Sequence, residues 1–504
     1  MARLDRFLIS DSLIDRLPDL FTCILERRLS DHAPVFLTTG SVDYGPTVFR
    51  VFNSWFAVPE FHCLVKKVWA DLDRDGVVCP FLFFKNALKV LKIRLKEWQG
   101  SVREGRQKEK VELLARATAI DVSIDDGLAD PVLIQERRDV HKKLGDLESV
   151  EQLDVLQKTR INWVVEGDEN TSFFHGMLNR RRKQLQIRGV LADGRWEVDP
   201  GVVKNVFHEF FKSKFSHGVS IPMHTRSDNF KRLDLEAGLR LDRTVSEDEV
   251  KHAVWDCGSD KAPGPDGFTF KFIKTFWDIL KADICAFVVA FFDKGYIPVG
   301  CNASFITLIP KIENPLLVND FRPISLIGVQ YKIIAKLLAN RLARELNSII
   351  SFEQSAFVAG RQILDGPLMV NEVASWAKKQ KRKMMIFKVD FEKAYDSVSW
   401  AYLEKLMQFM GFSDKWRFWI RACLLSARSS VLINGNATPE FTLHRGLRQG
   451  DPLSPFLFII VMEGLHVMME DAVGNAVFRG VKIGPEDLHL SHLFYADDAL
   501  FMGE

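Results

Sequence analysis

Three carboxylates stand where an apolar segment meets a turn. Asp390 closes Phe387-Lys388-Val389-Asp390, and Asp497 and Asp498 separate the stretches His489 to Phe494 and Ala499 to Met502. The second pattern reads as a β-hairpin with the acid pair at or near its turn. The first reads as a strand ending in a charge that faces a cleft or solvent. Each also has a plainer reading: Asp-Asp is common in turns, and Asp390 could be the N-cap of a helix beginning at Phe391. A third segment, Arg445-Gly446-Leu447-Arg448-Gln449-Gly450-Asp451-Pro452-Leu453-Ser454-Pro455, leads into the apolar run Phe456 to Leu465. It is either a loop that brings backbone close to something or an ordinary turn. The three together say more than each alone, because strand-end acids far apart in the chain can meet on one sheet. Converging carboxylates repel unless cations lie among them, and Mg²⁺ prefers carboxylate and phosphate oxygens while keeping waters. Two such ions about 4 Å apart can activate a 3′-hydroxyl and stabilise a leaving pyrophosphate. The chemistry is then nucleotidyl transfer.

The elements that must position these acids are also legible. Phe305 to Pro310 has the alternation of a strand stopped by proline. Tyr331 to Asn347 has helical periodicity, with Ile334, Leu337, Leu338, Leu342 and Leu346 on one face. Met384 to Val389 is a short strand after the basic run Lys378 to Lys383, Trp400 to Met410 is helical, and Ser430 to Asn434 with Phe441 to Leu443 reads as a hairpin about Gly435. Thr244 to Glu249 looks like a capped helix start. Helices and short strands mingle without regular βαβ spacing, so the predicted class is α+β. Upstream, 60–118 and 131–162 read as helices around an acidic turn. Lys85, Lys89, Lys92, Arg94 and Lys96 alternate with Leu88, Leu91, Leu95 and Trp98, and Arg180, Arg181, Arg182, Lys183 and Arg188 form a second basic cluster. Both are candidate nucleic-acid contacts, and the first is equally a solvated helix face.

The whole chain sets bounds on these readings. It has 504 residues, 47% hydrophobic and 27% charged, which excludes wholesale disorder and fibrous classes. A formal charge of +2 leaves any basic surface to local clustering. The seven cysteines are scattered singly without zinc spacing, which predicts reduced, mostly buried thiols. Asp5 and Arg6 fall where a signal peptide needs an apolar stretch. No membrane span is expected, and the location expected is nuclear or cytoplasmic.

The set of segments resembles the reverse transcriptase of non-LTR (LINE-type) retrotransposons, the plant type in particular. The Asp390 segment is similar to polymerase motif A, Arg445 to Pro455 to motif B, and Tyr495-Ala496-Asp497-Asp498 to motif C. Lys261-Ala262-Pro263-Gly264-Pro265-Asp266-Gly267 resembles the family's N-terminal extension motif. Leu308-Ile309-Pro310-Lys311, Asn319 to Leu326 and Phe357 to Gln362 resemble its next blocks. The resemblance implies right-hand polymerase fingers and palm over 244–504 with the thumb absent, after a helical connector over 39–243. Residues 1–38 would be the C-terminal remnant of an endonuclease/exonuclease/phosphatase-like domain, in which Asp31 and His32 match an imidazole-orienting pair. Fewer than about forty residues cannot build that fold, so no nuclease activity is expected.

The resemblance also implies roles. Asp390, Asp497 and Asp498 would hold two Mg²⁺, for which Mn²⁺ can substitute, with Asp498 the less direct ligand. Tyr395 would be a steric gate beneath the sugar, favouring dNTP. Gln449 and Gly450 would meet the incoming nucleotide and the template pair, Lys311 and Arg322 the triphosphate, and Arg361 template phosphate. Lys393 and Asp396 would be local salt-bridging residues of motif A. The partners implied are an RNA template, a DNA primer and dNTPs. The expected activity is RNA-directed DNA synthesis; the alternative is a truncated product that holds nucleic acid without extending it.

Overall fold

The computed structural model describes residues 7–10, 13, 17, 20–24, 35–39, 43–126, 130–159, 185–216, 229–483 and 488–503. An antiparallel pair, β1 (Leu20–Ile24) and β2 (Val35–Thr39), comes first. Helices α1 (Pro59–Ala70), α2 (Pro80–Asp125) and α3 (Pro131–Thr159) follow, each opening on a proline, which suits a helical turn whose N–H groups lack intrahelical partners. Helix α2 has 46 residues, about 69 Å at 1.5 Å per residue. Its first half buries Phe84, Leu88, Leu91 and Leu95 in the main core. Its second half meets α3 through Ala117 and Ile120 against Val140 and Leu144, with Arg116–Glu136 and Arg137–Asp121 ion pairs across the seam. At the base of this helical arm, Gln157 accepts from Asn53 N–H at 2.6 Å and donates to Val51 O at 3.0 Å.

Next come β3 (Val190–Ala192) and β4 (Arg195–Glu197), then α4 (Pro200–Lys214), α5 (Leu235–Asp242), α6 (Glu247–Trp255), α7 (Phe270–Thr275) and α8 (Trp277–Lys294). Ser246 caps α6 by accepting from Glu249 N–H, the helix start expected from sequence. Strands β5 (Ala303–Pro310) and β6 (Phe321–Ile327) lead to α9 (Val329–Ile349) and α10 (Asp365–Lys379). Then follow β7 (Met385–Asp390), α11 (Ala394–Ser397), α12 (Trp400–Phe409), α13 (Asp414–Leu425), β8 (Arg428–Ile433), β9 (Asn436–Ala437) and β10 (Phe441–Thr442). The chain closes with α14 (Ser454–Gly474), β11 (Val481–Ile483), β12 (Leu488–Leu490), β13 (His492–Tyr495) and β14 (Asp498–Gly503). The class is α+β.

Two sheets organise the second half. One has the order β10-β8-β5-β6, with β5 and β8 parallel and β9 paired to β8. The other is antiparallel, β13-β14-β7. The hairpin strand expected over 489–494 is interrupted at Ser491: β12 pairs with β11 instead, and only β13 reaches β14.

The boundary expected at 243/244 runs through one hydrophobic core. Phe49, Trp55, Phe61, Trp69 and Phe84 share it with Phe268, Phe272, Phe276 and Phe287. Helix α4 covers the β5–β8 sheet with Val203, Phe207 and Phe211. The Gly264-Pro265-Asp266-Gly267 turn fits between these parts. A Cβ at Gly264 would stand 2.4 Å from Gly328 N, while Asp266 accepts from Val329 N–H at 2.5 Å and Phe268 N–H at 3.1 Å, capping α9. The basic stretch 85–96 is partly scaffold as well: Lys92 lies over the Phe49 ring at 5.3 Å, and Lys85 donates to Val299 O at 3.4 Å. Cys257, Cys301 and Cys423 are buried thiols and Cys63 is exposed. Among the described residues no helix is long and apolar enough to cross a membrane.

Candidate active site

Alternation along β-strands decides where the acids go. In the antiparallel register Asp390 is paired with Asp498, Val389 with Ala499 and Lys388 with Leu500. Directly opposed residues share a face, with Cα atoms about 5 Å apart. Asp390, Asp498, Lys388 and Leu500 therefore line one face, and Tyr495, paired with Asp498, joins them. The far end of this face is covered, as Leu493, Leu500 and Met502 meet Val373 and Trp376 of α10. The near end is open, with Asp390 and Asp498 exposed. The opposite face carries Phe494, Ala499, Val389 and Phe501 into the main core. Asp390 is thus a strand end, not an N-cap; the short helix α11 starts at Ala394, after Lys393.

Asp497 sits in the two-residue turn between β13 and β14, next to Ala496, whose φ is +52°. A left-handed non-glycine residue needs support. Gln354 supplies it. Its buried side-chain Oε1 accepts from Ala496 N–H and from Ala356 N–H, both at 3.0 Å. The segment beside it runs along β13: Phe494 N–H donates to Glu353 O at 2.8 Å and Ser355 N–H to Phe494 O at 3.0 Å. Arg361, expected at template phosphate, holds this segment from beneath. Its guanidinium donates to Ile350 O at 3.0 Å, to Gln354 O at 2.5 Å and to Ser351 O, so its fork is engaged by main chain. Burial there lowers its pKa, opposed by Glu463 and Glu353.

Tyr395 stacks on Phe458 of α14, with ring centroids 4.5 Å apart and planes 14° apart. Burial, and then the Asp497 carboxylate, push its phenol up to about 12. The 445–455 loop is fitted against this region by its glycines. Gly446 has φ +81° and a Cβ there would stand 2.5 Å from Asp396 O; Gly450 has φ +103° and a Cβ 2.8 Å from Ser325 O. Leu447 N–H donates to Tyr395 O, and Ser325 N–H to Gln449 O, each at 2.7 Å. The loop therefore ties the Asp390–Ser397 stretch to β6. Beneath it, Arg448 pairs with Asp451 at 3.0 Å and lies 4.3 Å from the Tyr331 ring centroid, all three buried.

Asp396 is buried, and its partner is not local as expected: Lys214, at the end of α4, reaches it at 2.5 Å. Lys214 O accepts from Arg445 at 2.9 Å, so one turn of the connector fastens both segments. Lys393 does pair locally, with Glu392 at 2.9 Å. Lys311 is exposed directly after β5, and with Lys393 and Lys214 it holds the Glu392 carboxyl below its usual range, Lys393 contributing most. Arg322 is exposed on β6, opposite Ile309. Gln449 is half-buried. Lys388 forms an exposed ion pair with Asp498 at 3.0 Å. Sequence reasoning did not single out Gln354, Lys388 or Lys214. Gln354 lies three residues before a block that was recognised, and no sequence signal marks its hydrogen bond. Asp31, His32 and the Arg180–Lys183 cluster lie outside the described residues.

Residues 309–504 match the reverse transcriptase (RNA-dependent DNA polymerase) family. The chain is 26% identical to the transposon TX1 uncharacterized 149 kDa protein of Xenopus laevis, over 100% of this chain and 38% of that protein. It is 27% identical to the Pol polyprotein of type-1 retrotransposable element R2 of Popillia japonica, over 52% of this chain and 35% of that one. With the Pol polyprotein of type-2 element R2DM of Drosophila melanogaster it shares 29% identity, over 44% and 20%. The chain thus spans less than two-fifths of the length of each of these relatives.

Proposed function

We propose, from the premise that this chain belongs to the non-LTR retrotransposon reverse transcriptases, that it carries RNA-directed DNA synthesis, joining dNTPs to a primer 3′-hydroxyl on an RNA template. The carrying observation is the register that sets Asp390 opposite Asp498 at the open end of the β13-β14-β7 sheet, with Asp497 in the adjoining turn. This sheet is read as the palm and the β5–β8 sheet as part of the fingers.

Reverse transcriptases use divalent metal ions, and the acids fit a hard cation: they offer only oxygen, and Asp390 and Asp498 lie in water, where such an ion keeps part of its hydration. We assign two Mg²⁺ to Asp390, Asp497 and Asp498, with Mn²⁺ able to substitute. Bound there, the ions supply nucleophile activation and leaving-group stabilisation. The chain's own part is positioning, which accounts for much of the rate in such transfers. Gln354 fixes the turn that aims Asp497. Tyr395, braced on Phe458, is the gate whose ring would lie beneath the sugar and leave no room for a 2′-hydroxyl. Gly450 lets backbone approach a base pair, and Gln449 lies beside it. Lys311 and Arg322 supply positive charge for the triphosphate, Arg322 as a planar fork. Arg361 is reassigned from template contact to support of the Gln354 segment.

The test is primer extension on poly(rA)/oligo(dT) with Mg²⁺. Incorporation that Asp390→Asn abolishes supports the reading; template binding without extension by the unaltered chain supports the non-catalytic binder instead. Replacing Tyr395 with Val should relax dNTP/rNTP discrimination, and unchanged discrimination removes Tyr395 from the gate.

A further inference from the structure

The core-facing side of the same sheet carries a second group of ligand-bearing side chains. His492, the first residue of β13, is fully buried. Its Nδ1 is bonded to Ser491 Oγ at 2.8 Å, and its Nε2 lies 2.8 Å from Nδ1 of His466 on α14. Glu470 follows His466 by four residues, one turn along the same helix face. One ligand atom from each of His466, Glu470 and His492 falls within 4.8 Å of the others. Glu353, on the segment beside β13, places Oε2 3.6 Å from His466 Nδ1.

We propose that His466, Glu470 and His492 form a binding site for a divalent transition ion of the Zn²⁺ type, distinct from the Asp390–Asp498 site. A hydrogen bond between two imidazoles explains the 2.8 Å contact, but not why two carboxylates converge on the same pair. Two imidazole nitrogens with carboxylate oxygen suit Zn²⁺ or Co²⁺, whereas Mg²⁺ selects oxygen and water. Ser491 stands where metal-bound histidines commonly have an outer partner: with Nδ1–H donated to its Oγ, the lone pair is left on Nε2 for the ion. Two bonds of about 2.05 Å at a tetrahedral angle need nitrogens about 3.3 Å apart, so the present 2.8 Å opens by roughly 0.5 Å. Glu353 is placed to take the fourth position.

The ion would join α14 to β13. Helix α14 carries Phe458 beneath Tyr395, and β13 runs from His492 into the Ala496–Asp497 turn about 13 Å away, at some 3.3 Å per residue over four residues. Its part is therefore to brace the catalytic strand.

The test uses the whole chain with excess Mg²⁺ and a titration of Co²⁺. We expect one equivalent to give the ligand-field absorption of four-coordinate cobalt, displaced by Zn²⁺, and Zn²⁺ to raise the melting temperature. His466→Gln and Glu470→Gln should each weaken binding at least about tenfold, while Asp390→Asn leaves it unchanged. These variants are preferred to His492→Ala, which removes a fully buried ring and can fail to fold. No such absorption, or binding that neither variant alters, overturns the site. Binding that Asp390→Asn abolishes overturns it too, since the ion then belongs to the aspartates. None of these outcomes depends on polymerase activity, so the site and the polymerase reading fail separately.

Discussion

The two faces of the β13-β14-β7 sheet treat polar groups in opposite ways. On one, Asp390 and Asp498 stand in water at the open end of a strand pair. On the other, His492 is fully buried against His466, with its remaining nitrogen satisfied by Ser491. The open face suits groups that must stay ionised, keep water and exchange ligands in each cycle. The closed face suits groups that bind once and stay. The two sets are held differently: the acids by register and by Gln354 under the turn, the His492 imidazole by direct contact with His466 of α14. The expected consequence is that damage on the open face removes rate without loosening the fold, and damage beneath it does both.

The largest separation should come from Asp498→Asn. This keeps size and removes charge at an exposed site, so primer extension should fall roughly 10³-fold, while the urea midpoint stays within the narrow range usual for surface substitutions. A matched loss of stability would show that Asp498 belongs to the scaffold. Gln354→Leu should show the mixed behaviour. It leaves Ala496 N–H and Ala356 N–H without their acceptor, each a loss of about 1–3 kcal/mol in a buried setting. Extension measured well below the melting transition should also fall, by about tenfold to a hundredfold in kcat, because the φ of +52° at Ala496 loses its restraint. Full kcat in a destabilised variant would confine Gln354 to stability.

The closed face should respond to acid. Burial, then His466, pushes His492 down to about 3. The groups facing it are His466 and Glu470 from α14, Ser491 beside it and Glu353 from the flanking segment. Its folded value lies below the unfolded value of about 6.5. Its contribution is therefore intact above 6.5 and lost as pH falls toward 3, at up to about 1.4 kcal/mol per pH unit. Urea midpoints from pH 7 to 4 should drop more steeply for the unaltered chain than for His492→Gln. Equal slopes would mean that the imidazole is not held neutral.

These contrasts bear on what could be read from the chain alone. Local signals were sufficient for helical character over 60–118 and 131–162, for β5, for β7, and for the acid-bearing hairpin, because periodicity, prolines and turn residues act within a few positions, but they missed the break between Ala70 and Pro80 and the run of the second helix on to Asp125. Register was not legible. That Asp390 lies opposite Asp498 follows from pairing between strands more than a hundred residues apart. The basic stretch 85–96 looked like a solvent or nucleic-acid face, but Lys92 covers Phe49, a contact fixed by tertiary docking. Arg361 carried the charge expected of a phosphate ligand, and only the fold shows its fork turned onto three carbonyls. The histidine pair escaped for the same reason. A search for zinc spacing looks for ligands near in sequence, and these imidazoles are brought together by α14 crossing behind β13.

The smallest expected effect tests how the open face manages its charge. Lys388 sits two residues before Asp390 on the same strand face and pairs with Asp498 at 3.0 Å, both side chains at least half exposed. Such a pair contributes little to stability, but it places a cation where a divalent ion would approach. Lys388→Met should therefore leave the melting temperature nearly unchanged and lower the Mg²⁺ concentration for half-maximal extension a few-fold, because Asp498 no longer exchanges one cation for another. The shift should shrink with added salt, which screens the exposed ammonium. A rise in the Mg²⁺ requirement would invert this assignment, making Lys388 a group that orients Asp498 for the ion rather than one that competes with it.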